Sequence, residues 1–233
     1  MGELQPVNTE QPWGQVTHLR SQLFNMENQI KNIIFDLGGV IYDIRYQNIP
    51  EAFAQFGFFN FEEHYTQNQQ TGPIDLFEEG NISVPEFRNY IRSLSPVSLT
   101  DEQIDEAWNA IIIDVPEKRV KMLESLKPKY NLYLFSNTNE LNYNKFCSLL
   151  QQKFGFNIFE RCFIKAYFSH LEHIRKPLVS AFQYVLEDAK LNPDETLFID
   201  DTKRHIEGAK KVGLHTYLLP KGEDVVEMKW LHS

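Results

Sequence analysis

Several residues of this protein that follow directly after short apolar runs have side chains that could take part in catalysis or bind an ion. A carboxylate at such a position can act as a nucleophile or as a ligand for a hard cation such as Mg²⁺. A hydroxyl or a backbone N–H beside it can hydrogen-bond an anion. Taken singly, each of these residue types is also a common turn former or helix cap. The residues are Asp36, then Ser136 with Asn137, then Asp200 with Asp201.

The segment Ile33–Ile41 carries the strongest of these signals. A β-branched and aromatic run ends at Asp36, and Gly38 and Gly39 follow almost at once. This pattern is typical of a buried parallel strand that delivers one acid to the edge of a sheet and then turns sharply. In such sheets ligands bind at the carboxyl ends of the strands, near the point at which the strand order reverses. The polar residues named above are therefore expected to converge on one edge.

The order of the elements predicts an α/β fold. From about Pro116 onward, strand-like and helix-like segments alternate, which implies right-handed βαβ units and a mostly parallel sheet. After the first strand at Asp36, the expected strands lie at 132–135, 163–167, 196–199 and 214–219, and the expected helices lie near 116–127, 140–152, 178–190 and 203–212.

Residues 45–115 have a different character, and we call them the helical insertion. They are aromatic and helical in pattern, without strong strand signals. Ser83 with Glu86 and Thr100 with Gln103 have the spacing of capping boxes, which predicts a helix beginning after each. The pattern predicts a small all-α module inserted just after the first strand.

Four segments, in this order, resemble the four motifs of the haloacid dehalogenase (HAD) superfamily. They are Phe-Asp-Leu-Gly-Gly-Val-Ile around Asp36, Leu-Phe-Ser-Asn-Thr around Ser136, Arg-Lys-Pro around Lys176, and Leu-Phe-Ile-Asp-Asp at Asp200 and Asp201. The resemblance covers about residues 30–220. It implies a Rossmann-like three-layer α/β/α core with a mostly parallel sheet, and a small C1-type helical cap of subfamily IA.

The same resemblance implies a domain organisation. Residues 30–44 and 116–233 are expected to form the core domain, and residues 45–115 the cap. Residues 1–29 are rich in Gln and Asn and show no clear period, so they are expected to form a leader outside the fold. The Asp-Leu-Gly-Gly variant of the first motif is similar to a branch that contains sugar-phosphate phosphatases such as bacterial α-glucose-1-phosphatase.

The resemblance also implies a role for each motif residue. Asp36 is the nucleophile that attacks phosphorus and forms an aspartyl-phosphate. Ser136 and the backbone N–H of Asn137 bind the phosphoryl oxygens, and Lys176 neutralises the group and orients the nucleophile. Mg²⁺ is the implied cofactor. Its implied ligands are Asp36, the backbone carbonyl of Gly38 and Asp201, with Asp200 as a further ligand or a carboxylate behind it.

Gly38 departs from the pattern of most phosphatases of this family. They carry a second Asp at that position, as general acid and base, whereas glycine has no proton to give. Three functions are consistent with the sequence: a Mg²⁺-dependent phosphatase acting on small phosphate monoesters, with sugar phosphates as first candidates; a non-catalytic phosphate-binding or regulatory protein; and a 2-haloacid dehalogenase. The adjacent acids at 200 and 201 disfavour the last, because without a cation they would repel a carboxylate substrate.

Some residues remain with open assignments. His205 stands four residues after Asp201, where many relatives carry Asp or Asn; it is expected either to hydrogen-bond within the site or to lie on the helix surface. Arg45, Phe53, Tyr65 and Trp108 are candidates for substrate contact, but core packing within the insertion is the favoured role.

Composition excludes several classes of function. A net charge of −9, without a basic cluster, argues against a nucleic-acid partner. No apolar run approaches the roughly 20 residues of a membrane helix, and the N-terminus lacks the pattern of a secretory signal. Two cysteines, neither in a CxxC arrangement, fit a reducing cytoplasm. The expected partner is a small phosphorylated metabolite, and monomer or homodimer is left open.

Overall fold

A computed structural model of the protein describes residues 29–65 and 72–228. The expected leader at residues 1–29 lies outside these ranges, apart from its last residue.

One parallel sheet forms the centre of the described structure. The strands of the described residues are β1 (Asn32–Phe35), β2 (Asp43–Ile44), β3 (Ile112–Asp114), β4 (Asn131–Ser136), β5 (Lys165–Phe168), β6 (Thr196–Asp200) and β7 (His215–Leu218). Five of them form this sheet in the order β5-β4-β1-β6-β7, so β1 is flanked by β4 and β6. This arrangement confirms the predicted α/β class with its parallel sheet.

Helices cover the sheet and fill the insertion. The α-helices are α1 (Asn48–Gln55), α2 (Pro73–Glu78), α3 (Val84–Leu94), α4 (Asp101–Asn109), α5 (Glu117–Leu126), α6 (Glu140–Phe154), α7 (Ile158–Cys162), α8 (Ser169–Glu172), α9 (Val179–Asp188) and α10 (Lys203–Lys210). Short 3-10 helices span Phe61–Glu63, Pro193–Glu195 and Val225–Glu227. Among the described residues no helix combines the length and the apolar character that crossing a membrane requires.

Alternate residues of the central strands pack into opposite layers. Phe35 of β1 belongs to a large apolar cluster that continues into the insertion, where Trp108 is also buried. Ile34, one residue earlier, belongs to a second cluster, with Phe182 of α9 and Ile206 of α10. A strand that is buried on both faces has a continuous run of apolar residues in its sequence. Such runs stand directly before Asp36 and before Asp200.

The insertion contains both predicted capping boxes. The Ser83 side chain accepts from the Glu86 backbone N–H, and the Glu86 carboxylate accepts from the Ser83 backbone N–H. Thr100 and Gln103 exchange the corresponding pair of bonds. These bonds satisfy N–H groups that the first helical turn leaves without partners, so α3 and α4 begin where the sequence indicated.

A two-stranded ribbon joins the insertion to the core, and the sequence did not predict it. The β2 and β3 strands pair antiparallel, with Asp43 opposite Asp114 and Ile44 opposite Ile112. Strands of two and three residues are too short for an alternating pattern to be visible. The ribbon brings the two ends of the insertion together beside Gly38, which forms an isolated bridge with Tyr42.

Candidate active site

The carboxyl ends of three neighbouring strands bring the first group of candidate residues together. Asp36 follows β1, whose last residue, Phe35, lies opposite Leu134 of β4 and Ile199 of β6. The Asp36 backbone N–H donates to the carbonyl oxygen of Ile199 at 2.9 Å. Register therefore places Asp36 between Ser136 at the end of β4 and Asp200 at the end of β6.

Lys176 lies between two of these acids. Its Nζ donates to Asp36 Oδ1 at 2.7 Å and to Asp200 Oδ2 at 2.8 Å, and its side chain is fully buried. Burial opposes the ammonium charge, but the neighbouring Asp200 and Asp36 carboxylates outweigh it and raise the pKa of Lys176. Lys176 is therefore a fixed cation at the centre of the site.

Asn137 holds the backbone of Lys176 in place. The Asn137 side-chain nitrogen donates to the Lys176 carbonyl oxygen, and the Asn137 side-chain oxygen accepts from the Lys176 N–H, both at 2.9 Å. An amide that meets both backbone groups of one residue fixes its position relative to β4. The loop after β4 thus orients the cation as well as offering its own N–H groups.

Three carboxylates form a cluster beside this cation. One oxygen from each of Asp36, Asp200 and Asp201 lies within 4.8 Å of the others. Burial, together with the charges of Asp200 and Asp201, raises the pKa of Asp36 to about 8 against the pull of Lys176. Burial and the Asp200 charge likewise raise the pKa of Asp201. Three acids facing one lysine leave an excess of negative charge, and oxygen donors of this kind are the ligands that Mg²⁺ prefers.

Gly38 and Gly39 contact different parts of the site. Gly39 has φ of +79°, and a Cβ there would overlap the Asp201 carboxylate. Only glycine combines that backbone conformation with that close approach. Gly38 lines the same cavity as Asp36 and Lys176, so its backbone lies beside the carboxylate cluster as the sequence led us to expect.

The loop after β4 also lines this cavity, which has a volume of about 70 Å³. Ser136 is buried among the lining residues. The sequence left open whether Ser136 also caps the following helix, but the cap is Asn139, whose side-chain oxygen accepts from the Asn142 N–H at 3.0 Å. Ser136 has no such task and lies beside Asp36 and Lys176.

His205 is part of the site and not a helix-surface residue. It is 7% exposed, and its Nδ1 lies 3.0 Å from Asp200 Oδ2. Burial lowers the pKa of His205 against the opposing effect of Asp200. The sequence showed that position 205 lies at the start of a helix that follows the Asp200-Asp201 pair, but it did not show the direction of the ring.

The insertion contributes side chains that sequence reasoning missed. Tyr46 and Glu78 line the cavity together with Asp36, and Arg175, next to Lys176, pairs with Glu78. Of the residues left open by the sequence, Tyr65 also lines the cavity, whereas Phe53 and Trp108 pack in the core of the insertion.

A second, larger cleft of about 680 Å³ adjoins the cavity and shares Ile44, Tyr46, Tyr65 and Asp201 with it. Polar and charged residues make up half of its remaining lining: Gln47 and Glu62 of the insertion, Lys221 and Glu223 of the segment after β7, and Arg45, which pairs with Glu51. The carboxylate cluster thus opens onto a space larger than a phosphate group, with both polar and apolar groups along it.

Comparison with known proteins identifies relatives over most of the chain. The family model for haloacid dehalogenase-like hydrolases matches residues 30–213. A D-ribitol-5-phosphate phosphatase from Bacteroides thetaiotaomicron is 33% identical over 195 residues, which cover 84% of this chain and 94% of that protein.

Solved structures agree with this match. An alanine variant of a HAD family enzyme from Bacteroides thetaiotaomicron, in complex with magnesium and inorganic phosphate, superposes with a TM-score of 0.80 at 36% identity, covering 84% of this chain and 96% of that one. A predicted HAD-like family hydrolase from Porphyromonas gingivalis superposes with a TM-score of 0.75 at 29% identity, covering 84% and 93%.

Proposed function

This chain belongs to the haloacid dehalogenase-like hydrolases, and on that premise we propose that it is a Mg²⁺-dependent phosphatase. Its substrates are small phosphate monoesters, hydrolysed through an aspartyl-phosphate on Asp36. The observation that carries this proposal is the buried Lys176 ammonium, which bridges Asp36 and Asp200 at the edge of the sheet. A fixed cation beside a carboxylate nucleophile suits a substrate that arrives as a dianion.

In this proposal Asp36, Asp201 and the backbone carbonyl of Gly38 hold the Mg²⁺ ion. When bound, the ion offsets the charge on the phosphoryl oxygens that the nucleophile approaches. When all three carboxyl groups are ionised they contribute −3 and Lys176 contributes +1, so a divalent cation brings the ionised site to neutrality. The magnesium complex of the Bacteroides thetaiotaomicron enzyme supports this cofactor.

We place Asp200 behind the metal ligands. Its Oδ1 accepts from the Thr202 N–H at 2.8 Å, and its Oδ2 accepts from Lys176. His205 lies within 3.1 Å of both oxygens. With its lone pairs largely engaged, Asp200 orients Lys176 and the start of α10. The same bonds keep Asp200 charged: burial raises its pKa, but Lys176 and His205 overcome that effect and lower it.

The phosphoryl group is bound by the loop after β4 and by Lys176. Ser136 and the backbone N–H of Asn137 donate to its oxygens, and Lys176 neutralises part of its charge. A cavity of about 70 Å³ fits a group of that size, and the rest of the substrate extends into the larger cleft.

A phosphorylated sugar or polyol is the substrate class that fits best. The cleft presents amide, carboxylate and ammonium groups, including Gln47, Glu62 and Lys221, which suit a chain of hydroxyls. The relative that acts on D-ribitol 5-phosphate supports this class. Residues 45–115 act as the cap that closes over the substrate, and residues 30–44 and 116–233 act as the core.

The decisive experiment is a Mg²⁺-dependent assay of phosphate release across a panel of sugar and polyol phosphates, with D-ribitol 5-phosphate and α-D-glucose 1-phosphate included. Asp36→Asn is the matched control, since it changes one atom of the nucleophile. Equal rates in both proteins would contradict the proposal. Binding of Mg²⁺ and phosphate without turnover would favour a regulatory protein, and metal-free chloride release from a 2-haloacid would favour a dehalogenase.

A further inference from the structure

The proposed reaction needs a proton donor that residue 38 does not supply. When Asp36 attacks phosphorus in line, the ester oxygen departs on the far side of the phosphorus, away from the sheet. An alkoxide leaves slowly without a proton, and a positioned general acid is worth roughly 10²–10⁴ in rate. The donor must therefore stand on the side of the cavity that the helical insertion covers.

Glu78 is the one carboxyl besides Asp36 and Asp201 among the described residues that line the cavity. It ends α2 of the insertion, so it lines the cavity from that element and not from the sheet, and it is only 6% exposed. Asp36 and Asp201 are occupied as nucleophile and metal ligand. Glu78 is hydrogen-bonded to Arg175 instead and is not a member of the carboxylate cluster.

The surroundings of Glu78 favour a carboxyl that gains and loses a proton. Arg175 donates to Glu78 Oε2 through Nε at 3.0 Å and Nη2 at 2.7 Å, and its Nη1 pairs with Asp75 at 2.9 Å. One guanidinium is thus shared by two carboxylates. Burial raises the pKa of Glu78; Asp75 adds to the rise, while Arg175 and the more distant Arg204 oppose it.

Glu78 is also held rigidly against the phosphate-binding loop. The Ser169 hydroxyl lies 2.5 Å from the Glu78 carbonyl oxygen and 2.8 Å from the Thr138 carbonyl oxygen, and it accepts from the Thr138 N–H. Two residues on, Gly80 packs so closely on the His170 backbone that a Cβ would overlap its carbonyl oxygen. These contacts fix Glu78 relative to Ser136 and its neighbours.

Other titratable side chains of the cavity are less suited. Burial, with the charge of Glu78 next, raises the pKa of Tyr46 far beyond the range in which a phenol exchanges protons near neutrality. His205 is hydrogen-bonded to Asp200 on the sheet side, where the nucleophile and not the leaving group stands.

We propose that Glu78 is the general acid and base of this phosphatase, in place of the Asp that residue 38 lacks. As the Asp36 oxygen bonds to phosphorus and the P–O ester bond breaks, protonated Glu78 gives its proton to the departing oxygen, and the alcohol leaves. The Glu78 carboxylate then takes a proton from water. The resulting hydroxyl attacks phosphorus, inorganic phosphate leaves, and Asp36 and protonated Glu78 are restored.

This inference rests on the proposed function, and the leaving-group dependence of kcat/KM tests it. Alkyl and aryl phosphates of graded leaving-group pKa are compared for the wild type and Glu78→Gln. With the acid gone, kcat/KM for alkyl phosphates should fall about 10²–10⁴-fold, and for aryl phosphates with acidic leaving groups less than about 10-fold. A uniform loss across the panel would reduce Glu78 to a structural partner of Arg175 and overturn the proposal.

Glu79→Gln is the matched control, because it changes the next carboxylate along the chain, which accepts from the Asn81 side chain and does not line the cavity, and it leaves Glu78, Asp75 and Arg175 in place. Its leaving-group slope should match that of the wild type. If Glu78→Gln fails to fold, the wild-type slope still decides: a steep preference for acidic leaving groups means that no acid acts, and the proposal is wrong. A different result would show that the proposed function itself is wrong: the wild type would have no Mg²⁺-dependent turnover, or its rates would equal those of Asp36→Asn.

Discussion

The Ile44 side chain fills the space that a side chain at Gly38 would need. A Cβ on residue 38 would lie 2.8 Å from Ile44 Cδ1. Gly38 is not in the left-handed region, so its backbone admits other residues, and the obstacle is the tip of one flexible side chain. An Asp at position 38 would therefore need space that Ile44, the last residue of β2, now occupies.

Gly38→Asp combined with Ile44→Ala should therefore restore a proton donor where Gly38→Asp alone fits poorly. In a Glu78→Gln background the pair should raise kcat/KM for alkyl phosphates by at least about 10-fold, since a placed acid is worth more than that. In the wild type the gain should stay below about 3-fold, because Glu78 already protonates the leaving oxygen. Ile44→Ala alone is the control, and equal gains in both backgrounds would argue against Glu78.

Gly39→Ala should weaken Mg²⁺ binding without unfolding the protein. The new methyl group would displace the Asp201 carboxylate, and the φ of +79° costs a further 1–2 kcal/mol, roughly. We expect at least about a 10-fold rise in the Mg²⁺ dissociation constant, in line with losses seen when the setting of a metal ligand is disturbed. Calorimetric titration measures it.

Gly155→Ala is the control for this variant. Gly155 has a similar φ of +74° at the end of α6, with nothing within 4 Å of its Cβ position. Gly155→Ala has the same unfavourable backbone conformation but no contact with a metal ligand, so its Mg²⁺ affinity should equal that of the wild type. An unchanged affinity in Gly39→Ala would show that Asp201 does not bind the ion.

The sequence predicted the sheet edge because the decisive information was local. Asp36, Ser136 and Asp200 each end an apolar run, and parallel strands bring such ends together without any knowledge of side-chain contacts. The capping box at Ser83 was equally visible, since all its bonds lie within four residues.

The contacts that the sequence could not give join distant residues. Glu78 and Arg175 are 97 positions apart, and no local sequence pattern around either residue predicts that the two form an ion pair. Their meeting depends on how the insertion docks on α8, which is set by the close approach of Gly80 to His170. His205 was ambiguous for a related reason: the sequence placed it at the start of a helix, but its contact with Asp200 depends on how that helix packs on the sheet.

Lys176→Met should abolish activity and destabilise the metal-free protein. It would leave the buried Asp36 and Asp200 carboxylates facing each other without a cation, and breaking a buried pair costs about 3–5 kcal/mol. Saturating Mg²⁺ should recover part of that loss, because the ion binds the folded site and supplies the missing charge. Urea denaturation with chelator and with Mg²⁺ measures both values.

Lys31→Met is the matched control for this variant. Lys31 pairs with Glu195 near the amino ends of the strands, but its side chain is 64% exposed. Such a pair contributes about 0–1 kcal/mol, and Mg²⁺ should not change its effect. If the loss in Lys176→Met were the same with and without Mg²⁺, the ion would not be bound beside these carboxylates.

Asp224 should stabilise the fold in a manner that depends on acid pH. Burial raises its pKa, but hydrogen bonds from Arg119, Lys118 and the Val226 N–H overcome that effect and lower it from 3.8 to about 2. A carboxyl with a depressed native pKa contributes fully above its unfolded pKa and loses that contribution as pH falls through the native one. Two pKa units correspond to roughly 2–3 kcal/mol.

Asp224→Asn should therefore lower the free energy of unfolding at neutral pH by about 2 kcal/mol, and the gap to the wild type should close as pH falls from about 4 to 2. Urea denaturation across that range measures it. Asp43→Asn is the control, because Asp43 pairs with the same Arg119 while its side chain is 43% exposed, so its removal should cost less than about 1 kcal/mol. A gap for Asp224→Asn that persists at pH 2 would mean that lost packing, and not the charge, accounts for the difference.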